Sequence, residues 1–433
     1  MSSKKNKLFF YFLAFVAYFC LLQVVLFPIA HNRNKSAQQE TKSAVSDRLD
    51  AFVMKAKPLN AGLLIDDQRL KTKPMLDNQN IHHSRVDIHK AVQQAVTGSL
   101  ENLPTWLQDY VIWHNQVRST LTAENYSSRR FLIMKCLVCD DHCGGTADRL
   151  VPIPLMLFVA HQTKRLLLIY WERPAALEDF LAPTLLDWRL PSFLRSQMHC
   201  NDTSVLGTVD LTVEHAQSEE RIVSTRCQSS NYGAKYYNEQ RMLRNASEAP
   251  FDFIFRDVWR SVFQPSPIIR SLVEDALEKL HLFPNEYAAA HLRGLYGQPN
   301  RSQPVLDVWT RRAVNCASQI RPGGPIYFAS DSAYATQTAQ EYGQFRGGND
   351  IIVTRPTKTN QQQQPLHLDK GASSNASFYY DTFVDLYLLS MSQCLVYSKG
   401  GFGKWGSLLS FNHSCSYRFL SSTQAKGCKW AKK

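Results

Sequence analysis

Three short stretches in the second half of the chain carry residue types suited to binding a nucleoside diphosphate. They are His291-Leu292-Arg293, Ser330-Asp331-Ser332 and Ser398-Lys399-Gly400-Gly401-Phe402-Gly403. Each closes a short apolar run, so each falls at the carboxyl end of an expected strand, where open α/β sheets collect their ligands. The arginine fork of Arg293 can hold a diphosphate through two parallel hydrogen bonds. Glycines beside a helix start, as at Gly400 and Gly401, let backbone N–H groups approach phosphate oxygens. The Asp331 carboxylate can accept hydrogen bonds from a purine edge or a ribose.

Several other chemistries do not fit. Neither glycine-rich stretch, Gly144-Gly145 or Gly400-Gly401, follows the G-x-G-x-x-G pattern of dinucleotide sites. Gly403-Lys404 is followed by Trp405 rather than Ser or Thr, so it is no P-loop. The chain after residue 30 has no D-x-D carboxylate pair for a nucleotide-bound metal. A metal-independent transfer then needs positive charge from the protein, and Arg293 would supply it. A lone His or Arg at a strand end is more often structural, and two adjacent glycines also make a plain turn.

The elements that must position these residues can be read from apolar spacing. Arg130–Cys136 reads as a buried strand. A glycine loop over Cys143–Leu150 follows, then a helix-like stretch to His161 and a second strand at Arg165–Tyr170. The alternation resumes after a long middle region. Helices are expected at Pro267–Leu280, Asp307–Ser318, Ala333–Tyr342, Asp381–Met391 and from Gly403. Strands are expected at Glu286–Leu292, Pro325–Ser330, Asp350–Val353 and Cys394–Ser398. Thr357–Ser377, with four consecutive glutamines, reads as a mobile loop. The expected fold is α/β, with two Rossmann-like domains and a cleft between them. One domain covers 126–280 and the other 281–433.

The amino-terminal region sets the compartment. Met1–Lys7 is a short basic tail, and residues 8–30 are apolar without an ionised side chain, long enough to cross a bilayer. This length favours a transmembrane anchor over a cleaved signal peptide. The lysines ahead of it favour a cytosolic amino terminus. Residues 31–125 read as a stem, polar to about Leu100, with a helix at Leu103–Val117 leading into the domain. N-x-S/T sequons at Asn34, Asn125, Asn201, Asn245, Asn300, Asn375 and Asn412 fit a lumenal catalytic part. The net charge of +12 suits anionic ligands, and a lumenal domain excludes nucleic acid as a partner. Of ten cysteines, Cys20 lies in the anchor. The other nine read first as disulfides, with at least one left over or shared between chains. Cys136, Cys139 and Cys143 could instead ligate zinc with His142.

In order and type, these stretches resemble the two-Rossmann (GT-B) fucosyltransferases, including the protein O-fucosyl, α1,6- and plant α1,2-fucosyltransferases. The resemblance covers roughly Arg130 to Leu420. Gly144-Gly145-Thr146-Ala147-Asp148-Arg149 resembles the family's first glycine loop, and His291-Leu292-Arg293 its H-x-R motif, whose arginine contacts the nucleotide β-phosphate. Tyr327–Ser332 is similar to its A-T/S-D-D/S motif. Asp385–Cys394 followed by Ser398–Phe402 resembles its last helix–strand–loop, which packs on base and phosphates. The resemblance implies that 126–280 faces the acceptor and 281–433 binds the nucleotide sugar, with Gly144, Gly145, Arg149, His291, Arg293, Asp331, Ser332, Ser398, Gly400, Gly401 and Phe402 as the nucleotide-sugar site. It implies an inverting transfer of fucose from GDP-fucose to a glycan or glycoprotein, without metal or other cofactor. The setting would be a single-pass type II Golgi protein, with the endoplasmic reticulum as alternative. Gly294 and Leu295 stand where the family often has a second arginine and an acid. Asp148 and Asp307 are candidates for the general base, although either residue type is commonly a helix cap or surface group. A different donor sugar, or a lumenal glycan-binding protein without activity, remains an open alternative.

Overall fold

The computed structural model describes residues 83–140, 143–200, 211–225, 230–243, 249–295, 300–345, 351–355, 374–419 and 428. All of these fall in one compact unit. The expected anchor at 8–30, the stem up to residue 82 and most of the 357–377 loop lie outside the described residues. Among the described residues, no helix is long and apolar enough to cross a membrane.

Two parallel sheets organise this unit, as the alternation of apolar runs and helices anticipates. In the first, β1 (Phe131–Cys136) is buried along its whole length. It lies between β2 (Leu166–Trp171) and β4 (Ile222–Thr225). Strands this apolar on both faces need cover on both faces, which only a parallel sheet wrapped in helices provides. The second sheet has the order β10-β9-β6-β7-β8. Its members are β6 (Ala288–Leu292), β7 (Ile326–Ser330), β8 (Ile352–Val353), β9 (Cys394–Tyr397) and β10 (Tyr417–Arg418). A small antiparallel pair, β3 (Leu181–Pro183) with β5 (Phe263–Pro265), bridges distant parts of the first half.

The helices in chain order are α1 (Arg85–Val96), α2 (Thr105–Ser119), α3 (Thr146–Leu150), α4 (Ile153–Gln162), α5 (Val213–Ala216) and α6 (Ser230–Leu243). They continue with α7 (Phe251–Val262), α8 (Pro267–Lys279), α9 (Gln303–Ile320), α10 (Ala333–Phe345), α11 (Tyr380–Ser390) and α12 (Gly401–Leu409). The helix-like stretch expected up to His161 is α4, while the end of the expected glycine loop forms the short helix α3; Pro152, which lacks an N–H, stands between the two.

The stem is shorter than expected from composition. Helix α1 opens with a capping box between Ser84 and Asp87 and buries Ile88, Val92, Ala95 and Val96. Those four form an i, i+4, i+7, i+8 stripe inside a polar stretch, enough to dock one face while the other stays in water. Arg85 pairs with Asp275 at 2.6 Å and with Glu278 at 2.9 Å, tying α1 to α8. Helix α2 buries Trp106, Leu107, Tyr110, Val111 and His114, so it too belongs to the folded body.

One hydrophobic core runs through both halves. Trp405 of α12 is fully buried and meets Trp259 of α7 edge-on, with ring centroids 5.2 Å apart. Phe180 stacks on Phe383 of α11 at 4.5 Å. Helix α12 packs against α7, α11 and α3. Among the described residues four disulfides form: Cys136–Cys143, Cys139–Cys200, Cys316–Cys428 and Cys394–Cys415. The zinc alternative at Cys136, Cys139 and Cys143 is thereby corrected, because a sulfur bonded to sulfur is no longer a thiolate ligand. His142, Cys20 and Cys227 lie outside the described residues. Truncating Trp405 to alanine should cost about 3–5 kcal/mol. Urea unfolding of the full chain measures it, and a loss under about 1 kcal/mol would mean that the two halves do not share this core.

Candidate functional site

Strand β6 occupies the centre of the second sheet, with β9 on one side and β7 on the other. The register sets His291 beside Tyr397 and Ala329, and Leu292 beside Ser330. The three sequence stretches therefore emerge side by side at one sheet edge. Ser398 is fully buried; its N–H donates to the His291 carbonyl at 3.0 Å, and its Oγ accepts from the Arg293 backbone N–H at 2.7 Å. From the other flank, Asp331 Oδ1 accepts from Gly294 N–H at 2.6 Å and from Leu295 N–H at 3.2 Å.

Asp331 thus holds the turn after β6, a role not anticipated from its residue type alone. Burial raises its carboxyl above the ordinary value, against the pull of these N–H groups and of Arg293. Ser332 is a helix start rather than an open ligand: its Oγ accepts from Ala335 N–H at 3.3 Å at the head of α10.

Gly400 adopts φ +101°, in the left-handed region that favours glycine. A side chain there would also come within 3.1 Å of Arg293 Cδ and 3.2 Å of its Nη1. The arginine therefore lies against the backbone that leads into α12. Gly401 is the first residue of that helix, and Phe402 packs 5.3 Å from the His291 ring. Behind them, a Cβ at Gly403 would fall 2.9 Å from His291 Nδ1, so the loop closes directly on the imidazole. His291 is only 6 % exposed. Burial, with Arg293 as a secondary cause, pushes its pKa down to about 3, so it is neutral at physiological pH.

The first glycine loop sits at the end of β1 in the other sheet. Gly144 has φ +72°, and the Cys136–Cys143 disulfide staples the loop. Arg149 is 1 % exposed and donates from Nε to the Cys143 and Gly144 carbonyls at 3.1 and 3.0 Å, and from Nη1 to the Arg173 carbonyl at 2.7 Å. Its guanidinium also stacks on Trp171 at 4.7 Å. It braces the loop. Asp148 caps α3, its Oδ2 accepting from Gly145 N–H at 3.3 Å. Because α3 packs on α12, the glycine loops of the two halves precede helices that touch. Asp307 lies on α9 in an ion pair with Arg311 at 2.9 Å.

Sequence reasoning missed Arg355, which follows β8 at the same sheet edge. It bridges Asp381 and Asp385, the latter at 2.8 Å, while Tyr327 Oη donates to Asp385 at 2.8 Å. The available signal is a cation two residues past a strand, at the edge of the expected loop.

No protein-family model matches the chain, and no curated protein matches its sequence. Among solved structures it is similar to fucosyltransferases. An arginine-to-lysine mutant of Arabidopsis thaliana FUT1 in complex with GDP aligns over 70 % of this chain and 76 % of that one, at 13 % identity and a TM-score of 0.48. NodZ alpha-1,6-fucosyltransferase soaked with GDP-fucose aligns over 65 % and 93 %, at 15 % identity and 0.41. Fucosyltransferase NodZ from Bradyrhizobium aligns over the same shares, at 13 % and 0.40.

The neutral His291 predicts an acid weakness. The folded state refuses a proton that the unfolded chain accepts near pH 6.5, so this stabilisation is complete above that pH and declines as pH falls towards 3. His291→Asn should flatten the acid limb of stability, by up to about 1.4 kcal/mol per pH unit. His114, pushed down to about 4 by burial, keeps its own share of the slope. Urea unfolding of both proteins between pH 3 and 7 measures the difference, and identical slopes would contradict a buried neutral imidazole.

Proposed function

We propose that the chain is a glycosyltransferase that takes its sugar from a nucleoside diphosphate. Its donor is GDP-fucose and its acceptor a glycan or glycoprotein, as the motif resemblance implies. The observation that carries this reading is the convergence of Arg293, Ser398 and Gly400–Gly401 at the ends of neighbouring parallel strands, with Asp331 fixing the turn between them.

In this reading the donor diphosphate lies between the Arg293 guanidinium and the N–H groups that open α12. As the glycosidic bond breaks, negative charge accumulates on the leaving GDP. Arg293 offsets that charge, and it does so in place, because its backbone is clamped from both flanks before the donor arrives. Neutral His291 underlies the loop, so the positive charge there is that of Arg293. Asp148 caps α3 and Asp307 pairs with Arg311, so neither is assigned the base here. Inversion at the sugar carbon, independence of metal and a type II Golgi setting are parts of the same proposal.

A glycan-binding protein without activity is a second reading, favoured by Gly294 and Leu295 standing where a second arginine and an acid are common. Nucleotide binding separates the two. In calorimetry on the full chain, GDP should bind without added metal and UDP more weakly. Arg293→Ala should weaken GDP by about 10- to 100-fold, the worth of a charge-assisted hydrogen-bond pair. UDP preference would move the donor assignment, and no nucleotide binding by the folded chain would overturn the transferase reading.

A further inference from the structure

Asn412 stands at the opposite end of the second sheet from the proposed donor site. Helix α12 starts beside Arg293 and runs back over the sheet, and the chain that leaves it returns to the start of β9. There the Asn412 N–H donates to the Gln393 carbonyl at 3.0 Å, and the Asn412 carbonyl accepts from the Cys415 N–H at 3.1 Å. The Cys394–Cys415 disulfide closes the same segment. The backbone of this residue is thus fixed, while the residue itself is exposed. Asn412 opens an N-x-S sequon. The Ser414 hydroxyl donates to Asn412 Oδ1 at 2.5 Å, and among the described residues Nδ2 makes no hydrogen bond. Asn125, in another sequon, spends both amide atoms: Nδ2 donates to the Thr120 carbonyl at 2.7 Å, and Oδ1 accepts from the Thr122 N–H at 2.9 Å.

The Asn412 sequon lies against α7. The Arg256 guanidinium donates to the Phe411 carbonyl at 3.1 Å and lies over the Phe411 ring at 4.1 Å. One turn earlier on the helix, Phe253 meets the His413 ring edge-on at 5.3 Å. Asn412 is therefore bracketed by two neighbours that both touch α7, yet Phe253 is 65 % exposed. A lone aromatic at a surface needs no explanation of its own. This one lies beside an asparagine whose amide nitrogen is open to attachment of a sugar. A pyranose offers an apolar C–H face to an aromatic ring, and removing that area from water is favourable. A sugar tethered to a fixed backbone loses little further freedom in resting there.

We propose that Asn412 carries an N-linked oligosaccharide whose first N-acetylglucosamine covers the Phe253 ring. The donor is an oligosaccharide carried on a polyprenyl diphosphate. Asn412 Nδ2 bonds to the anomeric carbon as the bond from that carbon to the diphosphate oxygen breaks. The diphosphate leaves with the electron pair, the amide gives up one proton, and nothing is oxidised or reduced. The transfer belongs to the lumen of the secretory pathway, so the proposal rests on the lumenal setting given above and not on the transferase reading. At this end of the sheet a bulky glycan leaves the donor site open.

The test uses the full chain, made in cultured animal cells and purified in detergent. Release by peptide N-glycosidase in heavy-oxygen water, read by mass spectrometry, marks each occupied asparagine as heavy aspartate. Asn412 should be marked in most molecules. Asn412→Gln should lower the urea midpoint by about 0.2–0.5 M, the loss of one aromatic contact. In a Phe253→Ala background the same substitution should change nothing, an outcome that a merely solubilising glycan does not give. Occupied Asn300 or Asn375 with Asn412 bare would overturn the proposal and leave the lumenal setting intact. A chain with no occupied sequon would overturn both. An occupied Asn412 whose loss shifts the midpoint equally with and without Phe253, or not at all, would overturn the covering of that ring. Occupancy without any GDP binding would sink the transferase reading and leave this one standing.

Discussion

The turn after β6 is the point on which the rest of the site depends. Three consecutive backbone N–H groups, from Arg293, Gly294 and Leu295, are satisfied by side chains from the two neighbouring strand ends, Ser398 on one flank and Asp331 on the other. A turn at a strand end ordinarily leaves such donors to water. Here they are locked, so the arginine projects from a backbone with little freedom to rearrange. The cost is a partly buried carboxylate, which the two N–H donors and the nearby guanidinium offset. Preorganisation of this kind is what electrostatic stabilisation of a leaving group requires.

Helix α12 extends that constraint to the whole molecule. Its first residues lie against Arg293 and His291, while Trp405, one turn later, is buried against Trp259 in the first half. The same helix packs on α3, which follows the other glycine loop. The lining of the proposed diphosphate site is therefore not independent of the interface between the two sheets. The Cys394–Cys415 disulfide ties the start of β9 to the segment beyond α12, so the helix is fixed at both of its flanks.

Much of the second sheet was legible because its strands are short apolar runs and its helices carry clear stripes. The strands and the three motifs at their ends followed from that alternation; the order that sets β6 between β9 and β7 did not. Helix α1 was not legible: four apolar residues among polar ones look like a stem until α8 is there to cover them. Helix α7, with Phe251, Ile254, Phe255, Val258, Trp259 and Val262 on one face, lies in the long middle region, where the alternation of apolar runs breaks off. The chemical type of Asp331 suggested a ligand contact, the family resemblance placed Arg149 in the nucleotide-sugar site, and Asp148 was a candidate base. Their roles as clamp, cap and brace depend on which backbone groups the fold places beside them, and a single sequence does not carry that.

The most direct test of the central claim is a crystal structure of the full chain with GDP. The account predicts the diphosphate between the Arg293 guanidinium and the backbone N–H groups at Gly401 and Phe402, with the Ser398 and Asp331 hydrogen bonds unchanged. A diphosphate bound elsewhere, or an Arg293 turned away from it, would contradict the account.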